Sequence, residues 1–405
     1  MEIHKVKLGD VAAVKGGKRL PKGINLIAEP NAHPYIRVRD LNGKRTLELD
    51  NSFEFVDNET QKTISRYIVT GGDIVLSIVG TIGLVAVVGN TLNEANLTEN
   101  CVKLTDLSGI DRDFLYYYLK SSYGQQEVKR GTVGAVQAKL PIKNIQDITI
   151  LLPDELTQRK ISSILSSIDA KIEMNQKIND NLQQQLCTIF KAEFTDNPEL
   201  ENITQIPLSE LCYVVTKGTT PTTLGKPFVE SGINFIKAES ILDDHSIDKS
   251  KFAFIDEETN ALLKRSIIHA GDVVFTIAGT LGRFALIDEN VLPANTNQAV
   301  AIIRADVEKV LPEYIYTCFI GEWHTDYYAK RVQQAVQANL SLTTIKSLPI
   351  PLLDEAKMSE YLSLILPLIK AIKTNEAQNG KLAALRDILL PKLMSGEIDV
   401  SAVQF

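Results

Sequence analysis

Cysteine is scarce: the 405 residues hold four, Cys101, Cys187, Cys212 and Cys318, all far apart and with no CxxC pair. None lies near a histidine cluster, and there are only five histidines. That spacing excludes a disulfide framework and a zinc site, and it fits a reducing cytoplasm. Long apolar runs are missing as well. The most membrane-like stretch, Ile74 to Gly89, carries no charge but is broken by Gly80 and Gly83 and is rich in β-branched residues. Two buried strands around a Gly-Thr-x-Gly turn are expected there, and no membrane span. The N-terminal Met1-Glu2-Ile3-His4-Lys5 has no apolar h-region, so no signal peptide is expected.

A basic excess is absent too. Lys and Arg number 43 against 50 Asp and Glu, for a net charge of −7. Spread evenly, that balance would argue against a polyanionic partner. It is not even: residues 15–45 hold eight basic side chains (Lys15, Lys18, Arg19, Lys22, Arg37, Arg39, Lys44, Arg45) and two acidic ones (Glu29, Asp40). A basic face can sit opposite an acidic one.

Catalytic signatures are also missing. There is no Gly-rich dinucleotide fingerprint. Gly218-Thr219-Thr220-Pro221-Thr222-Thr223-Leu224-Gly225-Lys226-Pro227 resembles a phosphate loop superficially, but it has six residues between its glycines and Pro227 where Ser or Thr should hold magnesium. The only Asn-Pro, Asn197-Pro198-Glu199, lacks the aromatic needed to grip a flipped base. Asp154, Asp169 and Lys171 hint at a nuclease site, but the latter two fall on a heptad-patterned helix. The chain is expected to bind and position, with no catalytic residue, bound metal or cofactor of its own.

What is present is a duplication. Phe55-Val56-Asp57 and Thr60 recur as Phe254-Ile255-Asp256 and Thr259, Arg66 as Arg265, Gly72-Asp73 as Gly271-Asp272, and Gly80-Thr81-Ile82-Gly83 as Gly279-Thr280-Leu281-Gly282. Residues 55–88 and 254–287 share 14 identities in 34 positions, where chance gives about two. The flanking segments follow suit. Strands are expected at Leu8 to Val14 and Leu208 to Val215, and again at Tyr35 to Arg39 and Phe235 to Glu239. Helices are expected at Asp113 to Tyr123 and Glu313 to His324. Next comes Ala135-Val136-Gln137-Ala138-Lys139-Leu140, matched by Ala335-Val336-Gln337-Ala338-Asn339-Leu340, and closing strands at Ile148 to Pro153 and Leu348 to Leu353. Each unit reads as α+β with a mixed or mostly antiparallel sheet. Duplication predicts two similar faces about an approximate twofold axis, a shape suited to a two-part target such as DNA.

Each copy ends in a heptad helix. Ile161, Leu165, Ile168, Ile172, Asn175, Asn179, Leu182, Leu186 and Ile189 form one seam; Tyr361, Ile365, Leu368, Ile372, Asn375, Asn379, Leu382 and Leu389 form the other. The asparagines recur in register, and a buried seam Asn rejects shifted pairings. An antiparallel intrachain coiled coil is expected, with separate packing of each helix on its own domain as the alternative. Pro367 is expected to kink the second helix or delay its start. The boundaries drawn are 1–153 and 195–353 for the globular domains, 154–194 and 354–396 for the helices, and 397–405 for the tail.

These parts resemble the DNA-specificity subunit of type I restriction-modification enzymes. The carriers are the paired Gly-Asp-[Ile/Val]-Val and Gly-Thr-x-Gly elements, each followed by a coiled-coil helix. Others are Leu151-Leu152-Pro153 through Gln158-Arg159-Lys160-Ile161 and the C-terminal Leu389-Leu390-Pro391-Lys392-Leu393-Met394-Ser395-Gly396-Glu397-Ile398. The likeness spans essentially the whole chain; Leu352-Leu353-Asp354-Glu355-Ala356-Lys357 departs from it by lacking the Gln-Arg pair. The resemblance implies a cytoplasmic, non-catalytic subunit that reads a bipartite double-stranded DNA site and recruits two methyltransferase subunits and the restriction subunits. Those partners would use S-adenosylmethionine, ATP and magnesium. The seam from Ile161 to Ile189 would span about 43 Å, or about 12–13 base pairs. A duplicated scaffold that binds only proteins is the rival reading, and an enzyme with an unrecognised site a second; steep salt dependence of DNA binding separates the first.

Candidate readers follow from side-chain chemistry, since Arg and Lys suit guanine edges or phosphates and Asn and Gln suit adenine. They are Lys18, Arg19, Arg37 and Arg39 in the first unit, with Lys217, Thr219, Thr220 and Lys237 as counterparts. Thr81, Thr280 and Arg283 stand at the hairpin tips, and Asn295, Asn297 and Gln298 form a polar cluster. Gln137 and Gln337 are read equally as local structure. Tyr116-Tyr117-Tyr118 is expected to be helix packing.

Overall fold

The computed structural model describes residues 3–403 except 42, 44, 135, 198–202, 324, 326 and 328–338. Gln337, Ala135 and the segment 335–338 therefore lie outside the described residues, as does His324. The chain divides into two compact units. The first comprises Met1–Ile172 with Lys381–Phe405, the second Glu173–Gly380.

In the first unit, a five-stranded sheet runs in the order Ala13–Gly16, Cys101–Thr105, Ile74–Ser77, Val85–Val88, Thr46–Leu47. It is antiparallel except for Thr46–Leu47, which pairs parallel with Val85–Val88. A second, mixed sheet joins Glu54–Phe55, Pro34–Ile36 and Asn96–Leu97, and Ile3–Lys7 pairs with Thr149–Pro153. The second unit repeats the plan. Cys212–Lys217, Val300–Ala305, Val273–Thr276 and Phe284–Leu286 form an antiparallel sheet; Ala253–Ile255, Ile233–Ile236, Ala294–Thr296 and Ile267–Ile268 form a mixed one. Its described residues include no counterpart of Thr46–Leu47.

The uncharged run Ile74 to Gly89 is the expected hairpin, with every strand residue buried. Its Gly-Asp element is a turn lock. Gly72 and Gly271 take φ of 91° and 81°, and the following carboxylates accept the amides of Thr70 and His269 at 2.8 and 2.7 Å. Both aspartates are buried, and each has a cation from the neighbouring strand: Lys103 for Asp73 and Arg304 for Asp272.

Local structure departs from the sequence expectation where a carboxylate captures an amide. Leu8–Val11 is one helical turn, not strand: Leu8 and Val11 are buried three residues apart, and Asp10 accepts the Lys7 amide. The strand expected through Arg39 ends at Ile36, because Asp40 accepts the Arg37 amide at 2.7 Å and winds 38–41 into a 3-10 turn. The amphipathic helices run Arg112–Lys120 and Pro312–Ile320, and Tyr116, Tyr117 and Tyr118 are all buried in packing.

The long helices are Glu155–Phe190 and Glu355–Ser395. Asp154 and Asp354 cap them by accepting the amides of Thr157 and Lys357, each at 2.9 Å. The second helix thus begins twelve residues before Pro367, which sits exposed within it. In the second unit the helices pair antiparallel: Asn175 donates to Asn379 at 2.8 Å, Asn375 donates to Asn179 at 2.8 Å, and Asn179 reaches the Ile372 carbonyl. Asn175 thus meets the repeat-equivalent of its own seam neighbour Asn179, and Asn375 that of Asn379, as an isologous contact requires. Ile172, Leu182 and Leu382 are half-buried. Helix ends also pack on the domains. Leu186 and Phe190 join Tyr361, Ile365, Ile369 and Ile372 in the core of the second unit, while Ile161 and Leu165 join Leu390, Leu393, Met394 and Val400 in that of the first. Pairing and separate packing both occur, at different stretches of the same helices. Leu368 is only half-buried and Ile369 takes the inner position, as expected when a straight helix drifts from a seven-residue repeat.

Candidate nucleic-acid interface

In the first unit Gly16 pairs with Val102, Ser77 with Cys101 and Leu76 with Val85. Loops 17–22, 78–84 and 98–100 therefore leave the sheet at one end. Thr98 donates its amide to Ile36, which brings residues 37–40 to the same place. Backbone bonds knit this end together: Gly17 to Cys101, Lys18 to Leu97, Ile78 to Asn100 and Leu140 to Ile78. Any side chain at Gly17 would collide with the Thr98 carbonyl, and one at its counterpart Gly218 with the Thr296 carbonyl. The second unit repeats the arrangement with loops 218–226, 277–283 and 297–299, through Lys217–Ala301, Thr276–Val300 and Phe275–Phe284.

The hairpin tips are built alike. The Ser77 hydroxyl donates to the Thr81 carbonyl at 2.6 Å and accepts the Leu84 amide at 2.9 Å. The Thr276 hydroxyl does the same with Thr280 and Arg283. Gly80, Gly83, Gly279 and Gly282 all have positive φ, so the glycines answer to tight-turn geometry. Thr81 and Thr280 are exposed at the tips.

Most of the candidate cations have acidic partners. Arg19, exposed, pairs with Glu99 at 2.6 Å. Arg37 and Arg39 share Glu54, with Asp40 close to both. Lys15 pairs with Asp106 at 2.8 Å and Arg45 with Asp113 at 2.9 Å. The +6 of residues 15–45 is largely neutralised by carboxylates from outside that segment. Lys18 is exposed, its ammonium 5.6 Å from the Tyr67 ring, and its carbonyl accepts the Tyr35 hydroxyl. Burial holds the Asp40 carboxyl up at about 6, against the pull of Arg39.

The second unit's loop end is more polar than charged. Lys217 and Gln298 are exposed, and the Thr220 hydroxyl donates to Gln298. Thr219 donates its amide to Thr296, Asn297 accepts the Ala299 amide, and Lys237 pairs with Glu239 at 2.9 Å. Two expected readers are otherwise engaged. Arg283 grips Asp243 through two bonds of 2.6 and 2.7 Å. Asn295 is 0 % exposed, its amide donating to Asn260 and to the Leu263 carbonyl. Its counterpart Asn96 is equally buried and ties to Ile64, so the Ala-Asn pair is a strand-to-helix tie and Asn295 drops from the readers. Gln137 is exposed.

Sequence reasoning missed the acidic partners Glu54, Glu99 and Asp243, which lie 15–80 residues from the cations they neutralise. Nor did it show what the Gln158 of the helix-entry segment does. Gln158 is 1 % exposed; it accepts the Asp111 amide at 2.7 Å and donates to the Pro153 carbonyl. Its counterpart Met358 packs against the apolar core, so the departure in the second copy is a change of internal latch. Among the described residues, no helix is long and apolar enough to cross a membrane.

The model of the type I restriction modification DNA specificity domain matches twice, over residues 2–184 and 201–381. The chain belongs to that family. It is 24% identical, over 98% of its length and 94% of the relative's, to the type I restriction enzyme MjaIX specificity subunit of Methanocaldococcus jannaschii. It is 23% identical, over 64% of its length and 71% of the relative's, to the HindI specificity subunit of Haemophilus influenzae. The crystal structure of a type I restriction-modification S subunit from M. genitalium shares the fold, with a TM-score of 0.54 at 16% identity, covering 97% of this chain and 96% of that one.

Proposed function

We propose that this chain is the non-catalytic DNA-reading subunit of a type I restriction-modification assembly, each unit taking one half of a bipartite duplex site at its loop end. The observation that carries this is a repeated plan whose loop ends carry unlike side chains. Two sheets present the same loop end, yet that end bears Lys18, Arg19, Arg37 and Arg39 in one unit and Lys217, Thr219, Thr220 and Gln298 in the other. One scaffold with two sets of base-edge donors and acceptors reads two different half-sites.

The paired helices set the number of base pairs between half-sites and dock two methyltransferase subunits in the cytoplasm. Adenine N6 methylation from S-adenosylmethionine, and ATP- and magnesium-dependent cleavage with the restriction subunits, reside on those partners. Removing one heptad from each helix shortens the strut by about 10 Å, or about three base pairs. Methylome sequencing of a host carrying that variant with its methyltransferase is expected to show a shorter spacer between unchanged half-sites; an unaltered spacer refutes the ruler. Absence of a salt-dependent DNA affinity would favour the protein-only scaffold instead.

A further inference from the structure

Buried identities between the two copies are explained by the shared fold, the tip glycines by turn geometry and Asp57 and Asp256 by helix capping; two exposed side-chain identities at the loop ends have no such account. The first is Arg66, matched by Arg265, both exposed. Ile68 bridges Asn96 and Tyr67 accepts the Leu97 amide, so the next residue back, Arg66, stands beside Thr98 at the base of loop 98–100. Ile267 pairs with Asn295 in the same sense, which sets Arg265 beside Asn297 and Gln298. The second is the Gly-Thr tip. Ile78 donates to Asn100 and Ile277 to Ala299, each at 2.8 Å, so the tips flank those loops from the other side. A Cβ placed on Gly80 or Gly279 would meet nothing within 4 Å.

Each divergent loop is thus bracketed by the same two exposed features: one arginine and one open Gly-Thr turn. Base readers must differ if the half-sites differ. What stays the same must touch something both half-sites share, and the sugar-phosphate backbone is the same everywhere. Guanidinium forks, threonine hydroxyls and unobstructed turn amides are donors suited to phosphate oxygens. Resting on the DNA-reading function proposed above, we infer that Arg66 with Thr81, and Arg265 with Thr280, form a matched pair of phosphate clamps. They seat each unit on the duplex without reading sequence.

The test uses the full chain co-purified with its methyltransferase, compared with Arg66→Gln/Arg265→Gln and with Thr81→Ala/Thr280→Ala. Binding is measured by fluorescence anisotropy across a salt series, on a duplex carrying the methylated motif and on a scrambled duplex. The clamp predicts that the arginine variant loses affinity for both duplexes by a similar factor. The slope of log affinity against log salt should become shallower by about two, at about 0.9 per phosphate contact. The methylated motif and spacer stay unchanged, and each single arginine variant shows about half the slope change. A loss confined to the motif duplex, or a changed half-site, overturns the proposal in favour of base reading. Unchanged DNA binding with lost methyltransferase recovery overturns it in favour of a protein contact. If the wild-type complex prefers no duplex, the DNA-reading function itself fails, and that result is distinct from any of these.

Discussion

Where Asp169 of the first long helix meets Arg386 of the second in the first unit, the repeat-equivalent positions of the second unit are Ile369 and Leu186. Asp169 is buried and accepts from Tyr117 at 2.7 Å and from Arg386 at 2.9 Å. Ile369 and Leu186 lie in an apolar cluster with Tyr361 and Phe194, and Thr317 replaces Tyr117. One duplicated geometry therefore tolerates either an ion pair or aliphatic packing at the same helix contact. The sheet edges differ likewise. Thr46–Leu47 lines Val85–Val88 in the first unit, whereas in the second His245 stacks on Phe284 at 3.9 Å and Asp243 holds Arg283. The parts held in common are those that shape loops; the parts free to drift are those that only fill space.

The sharpest way to break this comparison is to remove one partner of the ion pair. Asp169→Ala is expected to destabilise the first unit by about 2–3 kcal/mol, because the buried Tyr117 hydroxyl loses its acceptor and Arg386 keeps only Asp387. Asp169→Ile with Arg386→Leu and Tyr117→Phe imports the second unit's solution and is expected to restore most of that stability. Hydrogen exchange of the first unit's amides, read for both variants, checks this; equal losses in the two would show the contacts are not interchangeable.

The second unit has its own weak point. Burial pushes His245 down to about 4 from an ordinary 6.5. Its neutral form is favoured in the folded state, so this stability is complete above pH 6.5 and is lost as pH falls towards 4. The expected loss is about 3 kcal/mol, from 1.36 kcal/mol per pKa unit. Urea midpoints between pH 7 and 4 should fall for the wild type and flatten for His245→Asn. The smallest effect belongs to the first unit. Asp40 titrates near 6, so lowering the pH from 7.5 to 5.5 removes its charge from beside Arg37 and Arg39. DNA affinity should rise a few-fold, on the order of 0.5 kcal/mol, and Asp40→Asn should show the raised affinity already at pH 7.5.

The heptad seam, the hairpin and the paired asparagines were legible in the sequence because each is a local pattern repeated twice. Their periodicity fixes which faces are buried, and residue type fixes the rest. The charge map was not legible. Arg19, Arg37, Arg39 and Arg283 are neutralised by residues that only folding brings near, so counting charge in a window overstated the basic patch. Asn295 was misread for the opposite reason: a polar side chain at the end of a strand looks the same in sequence whether it faces solvent or ties to the Leu263 carbonyl. Gln158 shows the same ambiguity, resolved once its carbonyl is seen accepting the Asp111 amide.

The first unit draws on two stretches of chain separated by more than two hundred residues, whereas the second is one continuous stretch. Leu390, Leu393, Met394 and Val400 complete a core that Leu8, Phe114 and Ile161 begin. Closing the first core therefore means bringing together segments far apart along the chain, a long loop whose closure slows folding, whereas the second core closes within one continuous stretch.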